Sequence, residues 1–482
     1  MALQLRTDVL IVGSGPGGAT SAHMLAEAGQ SVLVVEEGRR FRPGEIENYT
    51  LSEMDARYRN GGLTPALGPT KVTYIEGRCV GGASEINAAL YHLPLPETLD
   101  DWTERFHLDE LRYSDLEPRF RAIEREVGVS ERKDGLSPAS KALQKGADRL
   151  GWRHTEIQRF WKYDREPDGA LTSTRQSMSA TLVPRAEAAG ARVLSQTRIR
   201  RLEIDGRRAV AAHGTTVGPD GRTHPITIRF DRVVLACGAV QTPLLLRRSG
   251  VTRNIGDTLR MHPMIRIAAR FPDRINEPDW GVPVQQVEEF KPHVTLGCSH
   301  SALPHIALWL AGDVPDKRRR LAEWEHTAVF YAAVTGEALG SVRALPFFDE
   351  PLVRYKLTRG DMALLGDSLH KLGELVFAAG ATELVHPVEG GPLVRHPRDL
   401  MEHRDGLPHG KVNVTAIHLF SSCPMGGVEA TSAVDPWGRL YDLDNVRIND
   451  ASIIPDTPGV NPQATIMAVA RRNMEHLLER GG

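Results

Sequence analysis

Two residues in the C-terminal part of the chain are of types that could do chemistry. His418 stands in the segment AIHLFSSCPMG and Asn461 in PGVNPQATI. An imidazole titrates near neutral pH and can take up a proton, whereas an amide can only hydrogen-bond. Each also has a structural interpretation: His418 as a satisfied buried imidazole, and Asn461 as the cap of a helix that begins at Pro462. The residues alone favour the structural interpretation of both.

The elements that would position a ligand are clearest at the other end of the chain, over residues 9–38. The apolar run at 9–12 predicts a buried parallel strand, and residues 19–28 predict a helix. A second β-branched run at 31–35 predicts the next strand. Together they form the strand, helix, strand unit that begins many cofactor-binding domains.

Three glycines and one acid within this unit have the spacing of a dinucleotide site. Gly13 permits a tight turn, Gly15 lets backbone approach a pyrophosphate, and Gly18 lets the helix pack close to the strand. Glu36 follows at about the usual distance of roughly 20 residues for an acid that binds ribose hydroxyls. A GxGxxG pattern alone is a weak signal, but with these elements it predicts an ADP-containing cofactor.

Two further glycine-containing segments are candidates for ligand contact. In GRCVGGASEIN, residues 77–87, Gly81 and Gly82 could let backbone press against a flat or anionic ligand, while Ser84 and Asn87 hydrogen-bond to it. Taken alone, a plain turn explains this segment equally well. In GAVQTPLLLRRSG, residues 238–250, a proline suits a helix start and the leucines suit a core.

Composition excludes several classes of protein. The 59 Lys and Arg against 61 Asp and Glu give no charge excess that would indicate a nucleic-acid partner. Cys79, Cys237, Cys298 and Cys423 are widely spaced, which argues against a disulfide framework or a zinc site. No run approaches the roughly 18 apolar residues of a membrane span, and the first apolar run is too short for a signal peptide. We expect a cytoplasmic protein with no metal and no membrane span.

The pattern of elements predicts an α/β fold. Buried-strand runs at 191–194 and 232–238 suit a Rossmann-like domain with a doubly wound parallel sheet. After residue 262 the sequence changes to runs in which apolar and polar residues alternate. These runs predict an inserted α+β domain with a mostly antiparallel sheet. The runs lie at 264–271, 305–310, 327–334 and 352–358, with a helix at 361–379.

The predicted domains are discontinuous in sequence. The cofactor domain comprises residues 1–150, 186–262 and 413–482, and the substrate domain comprises residues 151–185 and 263–412. Substrate sites commonly lie between two such domains.

The ordered motifs resemble those of the glucose–methanol–choline (GMC) oxidoreductases, a family of FAD-dependent alcohol oxidases and dehydrogenases. The opening fingerprint, the segments at 77–87 and 238–250, and GDTLRMHP at 256–263 match in order. So do the two C-terminal segments. Several ordered motifs over the full chain make this resemblance specific.

The resemblance changes the interpretation of the two C-terminal residues. The family pattern His-x-x-x-x-Cys-x-Met-Gly is met by His418, Cys423, Met425 and Gly426. Asn461 falls where the family carries its second His or Asn. By resemblance, His418 and Asn461 are therefore the catalytic pair.

The reaction implied by the resemblance is an alcohol oxidation. Neutral His418 would take the proton of a substrate hydroxyl, and Asn461 would hold the oxygen as charge develops on it. A hydride would pass from the carbinol carbon to flavin N5, giving an aldehyde or ketone. The helix beginning at Pro462 would aim its amides at the flavin N1–C2=O edge. Molecular oxygen or another acceptor would reoxidise the flavin.

The resemblance also implies FAD as the cofactor. Some members attach FAD through a histidine in the segment at 77–87, but here Ile86 precedes Asn87 and His92 lies further on, so we expect noncovalent FAD. The residues implied to bind it are Gly13, Gly15, Pro16, Gly18, Glu36, Arg78, Gly81, Gly82, Ser84, Asn87, Asp450, Ala451, Pro462 and Gln463.

The substrate is the least determined property. The chain is similar to bacterial biosynthetic members that oxidise a primary hydroxyl of an aminoglycoside intermediate, as in antibiotic biosynthesis. The acidic pairs Glu288–Glu289 and Asp349–Glu350 would suit such a cationic aminosugar. The alternatives are a lipophilic alcohol or sterol, and a non-redox hydroxynitrile lyase reaction on the same scaffold. A nicotinamide-binding protein is a third, weaker alternative.

Overall fold

The computed structural model describes residues 3–131, 135–165, 171–276, 282–310 and 316–480. The strands are β1 (Leu3–Val12), β2 (Val32–Val35), β3 (Thr64–Ala66), β4 (Lys71–Tyr74), β5 (His154–Glu156), β6 (Trp161–Arg165), β7 (Leu171–Arg175), β8 (Arg192–Leu194), β9 (Thr197–Asp205), β10 (Arg208–Val217), β11 (Thr223–Leu235), β12 (Arg260–Met261), β13 (Met264–Arg270), β14 (Gln285–Val287), β15 (Val294–Cys298), β16 (Thr327–Val334), β17 (Gly340–Arg343), β18 (Leu352–Tyr355), β19 (Glu383–Val385), β20 (Asn413–Ala416), β21 (Leu419–Phe420) and β22 (Val446–Ile448). The helices are α1 (Pro16–Glu27), α2 (Leu51–Arg57), α3 (Pro96–Arg105), α4 (Tyr113–Ile123), α5 (Pro138–Leu150), α6 (Leu182–Ala188), α7 (Gly238–Arg248), α8 (Leu303–Trp309), α9 (Lys317–Ala322), α10 (Arg359–Ala379) and α11 (Gln463–Arg480).

Seven of the described strands form the first sheet, in the order β8-β2-β1-β11-β10-β9 with β22 paired to β11. Strand β1 pairs in parallel with β2 and β11, so that Val12 aligns with Val35 and Leu235. The carboxyl ends of these strands therefore meet at one edge, which is where open α/β sheets bind ligands. The predicted Rossmann-like parallel sheet is confirmed, and β9 and β10 extend it in antiparallel fashion.

Helices α1 and α11 cover the first sheet. Val9 and Ile11 of β1 pack in one apolar cluster with Leu25 of α1 and with Met474 and Leu477 of α11. Because β1 is covered on both faces over its second half, its sequence there is continuously apolar. The α1 helix begins at Pro16, three residues earlier than the apolar pattern predicts.

The second sheet is mostly antiparallel, as predicted. Its order is β3-β4-β20-β13-β16-β15-β14-β5, with β19 paired to β13. Strand β13 lies in register with β16, which places Arg266 opposite Tyr331. Strands β4 and β20 pair in parallel.

Alternation along β13 gives the second sheet two different faces. Ile265 and Ile267 pack into the core that includes the apolar side of α10. Met264, Arg266 and Ala268 point to the opposite face and line a cavity. This is the two-residue period expected of a strand with two distinct faces.

Two features of the second sheet differ from prediction. Residues 305–310, predicted as a strand, lie mainly in helix α8, because so short an apolar run does not distinguish the two periodicities. Strands β3, β4 and β20 belong to the second sheet, although the predicted boundaries assign their residues to the cofactor domain. The chain passes between the two sheets several times, and a change in residue pattern along the sequence does not mark each of these crossings. In the part of the chain that is described, no helix is both long and apolar enough to cross a membrane.

Candidate active site

A cavity of about 700 Å³ is lined by residues of both sheets. It brings together most residues that the sequence predicts to be functional. Those that line it are Gly13, Gly15, Pro16, Glu36, Gly82, Asn87, His418, Asp450, Ala451, Asn461, Pro462 and Gln463. We call the part lined by Gly13, Gly15, Pro16, Glu36 and Gly82 the cofactor wall. The catalytic wall is the part lined by His262, Met264, Arg266, Tyr331, Thr415, His418 and Asn461.

The glycines of the first turn have different surroundings. Gly13 has a φ of +104°, a conformation that favours glycine. A Cβ on Gly15 would meet only the Cα of Gly82, at 4.0 Å, so this residue presents bare backbone to the cavity. A Cβ on Gly18 would lie 2.1 Å from the carbonyl oxygen of Gly13. Gly18 therefore contacts the protein and does not line the cavity.

Glu36 lies at the end of β2 and is held by the turn beside it. Its carboxylate accepts hydrogen bonds from the Ser14 amide at 3.1 Å, the Ser14 hydroxyl at 2.8 Å and the Gly38 amide at 2.9 Å. Burial raises the pKa of this carboxyl, and the bonds from Gly38 and Ser14 oppose that rise. Because a carboxylate has about four acceptor positions, Glu36 can also accept from a ligand hydroxyl.

Three other residues predicted to bind the cofactor lie behind the cofactor wall. The Ser84 hydroxyl donates to the Gly81 carbonyl at 2.7 Å and accepts from the Met178 amide at 3.0 Å. The Gly81 amide donates to the Ser14 hydroxyl at 3.1 Å, and Arg78 is half exposed, 3.8 Å from Glu37. Ser84, Gly81 and Arg78 do not line the cavity, and their contact with the cofactor stays a prediction. They hold the loop from which Gly82 lines the cavity.

Two polar contacts join distant segments at the cavity. The Asn87 amide donates to Gln463 Oε1 at 2.7 Å, which connects the 77–87 segment to α11. Asp450 accepts from the Gly238 amide at 2.9 Å and from the Thr242 hydroxyl at 2.6 Å, which connects it to α7. These hydrogen bonds join the glycine-containing segments at 77–87 and 238–250 to the C-terminal part of the chain.

A short antiparallel ribbon of β12 and β21 positions His418. The pairs Arg260–Phe420 and Met261–Leu419 bring His262 and His418 opposite each other, and the His262 amide donates to the His418 carbonyl at 3.1 Å.

The side chains of these two histidines also meet. The two Nδ1 atoms are 3.1 Å apart, and His262 Nε2 is hydrogen-bonded to the Thr457 hydroxyl. One Nδ1 must carry the hydrogen and the other must accept it. If His418 donates, its Nε2 has a lone pair, and in the described part of the chain this atom has no hydrogen-bond partner.

Both histidines are neutral at pH 7. Burial lowers the pKa of His262 to about 3. Burial also lowers the pKa of His418 well below its ordinary value, and His262, His92 and Arg266 lower it further. His418 is thus an uncharged imidazole at the cavity, and the interpretation of a fully hydrogen-bonded structural histidine does not fit it.

Asn461 is not the cap of the following helix. Helix α11 begins at Gln463, and the carbonyl of Pro462 accepts its first hydrogen bond, from the Ile466 amide at 2.9 Å. Pro462 thus occupies the cap position. Asn461 precedes it and lines the cavity that His418 also lines.

The other residues of the His418 motif are structural. Cys423 and Met425 have no exposed surface and pack in the core of the first sheet. A Cβ on Gly426 would lie 2.4 Å from the Ser432 hydroxyl oxygen. These residues hold the chain that carries His418.

Sequence reasoning missed four residues of this part of the molecule, namely His262, Arg266, Tyr331 and Thr457. A signal existed for two of them. His262 belongs to the matched segment at 256–263, and Arg266 interrupts an otherwise apolar run. Burial lowers the pKa of Arg266 only to about 10, so the guanidinium is charged at neutral pH.

Comparison with known proteins finds relatives over nearly the whole chain. Family models described as GMC oxidoreductase match residues 54–264 and 346–470, and one described as FAD binding domain matches residues 6–45. The chain is 35% identical to an uncharacterised GMC-type oxidoreductase of Sinorhizobium fredii, over 99% of this chain and 95% of that protein. It is 26% identical to a long-chain-alcohol oxidase of Arabidopsis thaliana, over 97% and 68% of the two chains.

A solved structure shares the fold. The crystal structure of pyridoxine 4-oxidase from Mesorbium loti has a TM-score of 0.75 and 20% identity, and the match covers 98% of this chain and 99% of that chain.

The residues of the cofactor wall fit FAD, which the matches support as the cofactor. The bare backbone at Gly15 leaves room that any side chain would fill. Helix α1 has no side-chain cap, so its first amides are available to a pyrophosphate. Glu36 has a buried carboxylate at the end of β2, the position from which an acid suits ribose hydroxyls.

Proposed function

The chain belongs to the GMC oxidoreductase family, and within it we propose that this FAD-dependent oxidoreductase converts a small-molecule alcohol to an aldehyde or ketone. The observation that carries the proposal is the position of His418, whose imidazole lines the same cavity as Asn461 and is hydrogen-bonded through Nδ1 to His262. A neutral imidazole is suited to take the proton of a hydroxyl.

The residues of the catalytic wall have different roles in the proposed reaction. His418 accepts the hydroxyl proton at Nε2, while its Nδ1–H donates to His262 and the His262 Nε2–H donates to Thr457. Asn461 donates its amide N–H to the substrate oxygen, which becomes more negative as the proton leaves. When FAD is bound, it would supply the acceptor for the hydride of the carbinol carbon, so that both the proton and the electron pair are accounted for.

The cofactor is held without a covalent bond in this proposal. Ile86, which lines the cavity, cannot form one. The turn from Gly13 to Pro16 would hold the pyrophosphate, and Glu36 the ribose. The backbone at Pro462 and Gln463 would face the ring system, because a helix N-terminus stabilises negative charge.

Molecular oxygen is the proposed final acceptor. This rests on relatives whose names describe oxidases, including the long-chain-alcohol oxidase and pyridoxine 4-oxidase.

The acidic pairs do not support an aminoglycoside as the substrate. Glu288 is paired with Lys291 and Glu289 with Arg153. Asp349 and Glu350 are likewise paired with arginines, and none of the four acids lines the cavity. The aminoglycoside stays a prediction that these residues do not favour. The apolar side chains of Met264, Ala268 and Val385 on the cavity favour a substrate with an apolar portion.

The decisive experiment is flavin reduction under anaerobic conditions. The purified protein should show a flavin absorption spectrum, and the flavin should be released when the protein is denatured and precipitated. A panel of aliphatic, aromatic and hydroxy-acid alcohols, sterols and aminosugars should include members that bleach the flavin, with hydrogen peroxide released on admission of air. Cleavage of a cyanohydrin without bleaching by any alcohol would establish the lyase reaction instead, and a protein without flavin would contradict the proposal.

A further inference from the structure

One row of residues crosses the second sheet and ends at Arg266, which lines the same cavity as His418. Gln286 of β14 lies opposite Gly297 of β15. Gly297 lies opposite Tyr331 of β16, and Tyr331 lies opposite Arg266 of β13. Tyr331 and Arg266 both line the cavity. Side chains directly opposite on neighbouring strands are about 5 Å apart at Cβ, so these two can contact the same small group.

Gly297 explains how Tyr331 is oriented. A Cβ on Gly297 would lie 2.5 Å from the phenol oxygen of Tyr331, so the ring lies across the strand at this glycine. The phenol oxygen reaches Gln286, whose Nε2 donates to it at 2.6 Å. Any other residue at 297 would displace the ring.

A buried chain of hydrogen bonds sets the direction of the Tyr331 hydroxyl. His92 Nε2 is 2.8 Å from Gln286 Oε1, and both side chains are buried. Burial lowers the pKa of His92 to about 4, so this neutral imidazole donates to the amide oxygen. Since Gln286 then donates to the Tyr331 oxygen, the hydroxyl hydrogen of Tyr331 is available to an acceptor in the cavity.

Arg266 is surrounded by further hydrogen-bonding groups. Its Nε donates to the Ser299 hydroxyl at 3.4 Å, and its Nη1 donates to the Thr415 hydroxyl. Its charge reaches the reaction site, because it contributes to the lowered pKa of His418. A guanidinium presents its N–H groups in a planar fork that matches the two oxygens of a carboxylate.

We infer that Arg266 and Tyr331 bind a carboxylate of the substrate, which makes the substrate a hydroxy acid with its hydroxyl at His418 and Asn461. The inference rests on the proposed function and narrows it to one class of alcohol. It also gives a physical reason for disfavouring a cationic aminosugar, because a fixed positive charge on the cavity wall repels it.

The first test compares alcohols that differ only in the carboxylate. Suitable pairs are butan-1-ol with 4-hydroxybutanoate, hexan-1-ol with 6-hydroxyhexanoate, and benzyl alcohol with 4-(hydroxymethyl)benzoate. In anaerobic flavin reduction by the FAD-loaded enzyme, we expect the hydroxy acid to be preferred about 10- to 100-fold in at least one pair, as charge-assisted hydrogen bonds allow. No preference in any pair would overturn the inference.

Variants then assign the preference to the two side chains. The preference is measured as the ratio of the flavin reduction rates for the hydroxy acid and its neutral partner. Arg266→Met should abolish this preference, and Arg266→Lys should restore part of it. Tyr331→Phe keeps the ring over Gly297 but removes the hydroxyl. It should lower the preference for the hydroxy acid about 3- to 10-fold. Arg270→Met is the matched control, because Arg270 stands on the same strand, pairs with Glu323 at 2.9 Å and does not line the cavity. An unchanged preference in Arg266→Met would contradict the assignment.

A binding measurement separates this inference from the proposed function. Hexanoate and benzoate carry no hydroxyl, and calorimetry with the FAD-loaded protein should show that they bind better than hexanamide and benzamide. Arg266→Met should lose this binding, and His418→Ala should retain it. If no alcohol reduces the flavin but these carboxylates still bind through Arg266, the proposed reaction fails while the carboxylate site stands. Equal binding of acids and amides would overturn the site itself.

Discussion

The two walls of the cavity are built in different ways. The cofactor wall presents mostly backbone, at Gly13, Gly15 and Gly82, with one acid that its neighbours hold in place. The catalytic wall presents side chains, and these come from several strands and loops. The cofactor wall can approach a ligand closely because its glycines have no side chains. The side chains of the catalytic wall can transfer protons and bear charge. Which of them meet depends on the segments that the fold brings together.

The largest expected effect is at Gly18, which lies behind the cofactor wall, where Gly18→Ala should prevent recovery of stable, FAD-loaded protein. The new Cβ would lie 2.1 Å from the backbone oxygen of Gly13, which cannot move without disrupting β1 and α1. We expect a loss of more than about 3 kcal/mol in the free energy of unfolding, measured by denaturant unfolding.

Gly15→Ala is the matched control for that variant. Its Cβ would enter the cavity and meet only Gly82, at 4.0 Å. This protein should fold with nearly unchanged stability without FAD but bind FAD about tenfold or more weakly, measured by flavin titration. Equal stability of the two variants would show that the two glycines do not differ in this way.

On the catalytic wall, His418→Ala should leave the fold and FAD content unchanged. It should lower the rate of flavin reduction by substrate about 10²- to 10⁴-fold, the usual contribution of a general base. Stopped-flow absorbance measures the rate, and the ratio of flavin to protein measures the cofactor. His224→Ala, a histidine paired with Asp220 away from the cavity, is the control. A normal rate of flavin reduction in His418→Ala would contradict the assignment of His418 as the general base.

A smaller effect is expected at His262, which acts through His418. His262→Phe keeps a ring against Phe420 but cannot accept the His418 Nδ1–H, so flavin reduction should slow about 10-fold. His262→Gln supplies an acceptor oxygen and should recover part of the rate. If Phe and Gln variants slow the reaction equally, His262 only fills space. A shift of the pH profile in His262→Phe distinguishes positioning from packing.

The last effect, which is small over any single pH unit, concerns acid stability, and it should arise from the histidines around the catalytic wall. Burial lowers the pKa of His92 to about 4 and that of His262 to about 3, from the ordinary 6.5. Below pH 6.5 the unfolded chain therefore binds protons that the folded chain does not, and stability falls as the pH falls towards these lower values. Each group contributes up to about 1.4 kcal/mol per pH unit.

Denaturant unfolding at a series of pH values below 6.5 measures this loss of stability. His262→Phe should reduce the slope, because one such imidazole is removed. An unchanged slope in the variant would show that His262 does not contribute.

Much of the cofactor wall could be predicted from sequence. The strand, the turn with Gly13 and Gly15, and Glu36 all lie within about 25 residues, where backbone rules act locally. The α/β fold class followed from periodicity for the same reason. The roles of Ser84 and Arg78 did not follow, because whether a polar side chain points into a cavity or into the protein depends on the neighbouring loop.

The sequence thus determined the cofactor class, the fold class and the candidate residues His418 and Asn461. The tertiary structure alone decided that His262 lies against His418 from 156 residues away. It also decided that Arg266 and Tyr331 stand side by side on the cavity face. The physical reason is the separation along the sequence of the residues that interact. A turn or a helix start is set by its own few residues, whereas the partner of a side chain is set by which strands pair and in what register.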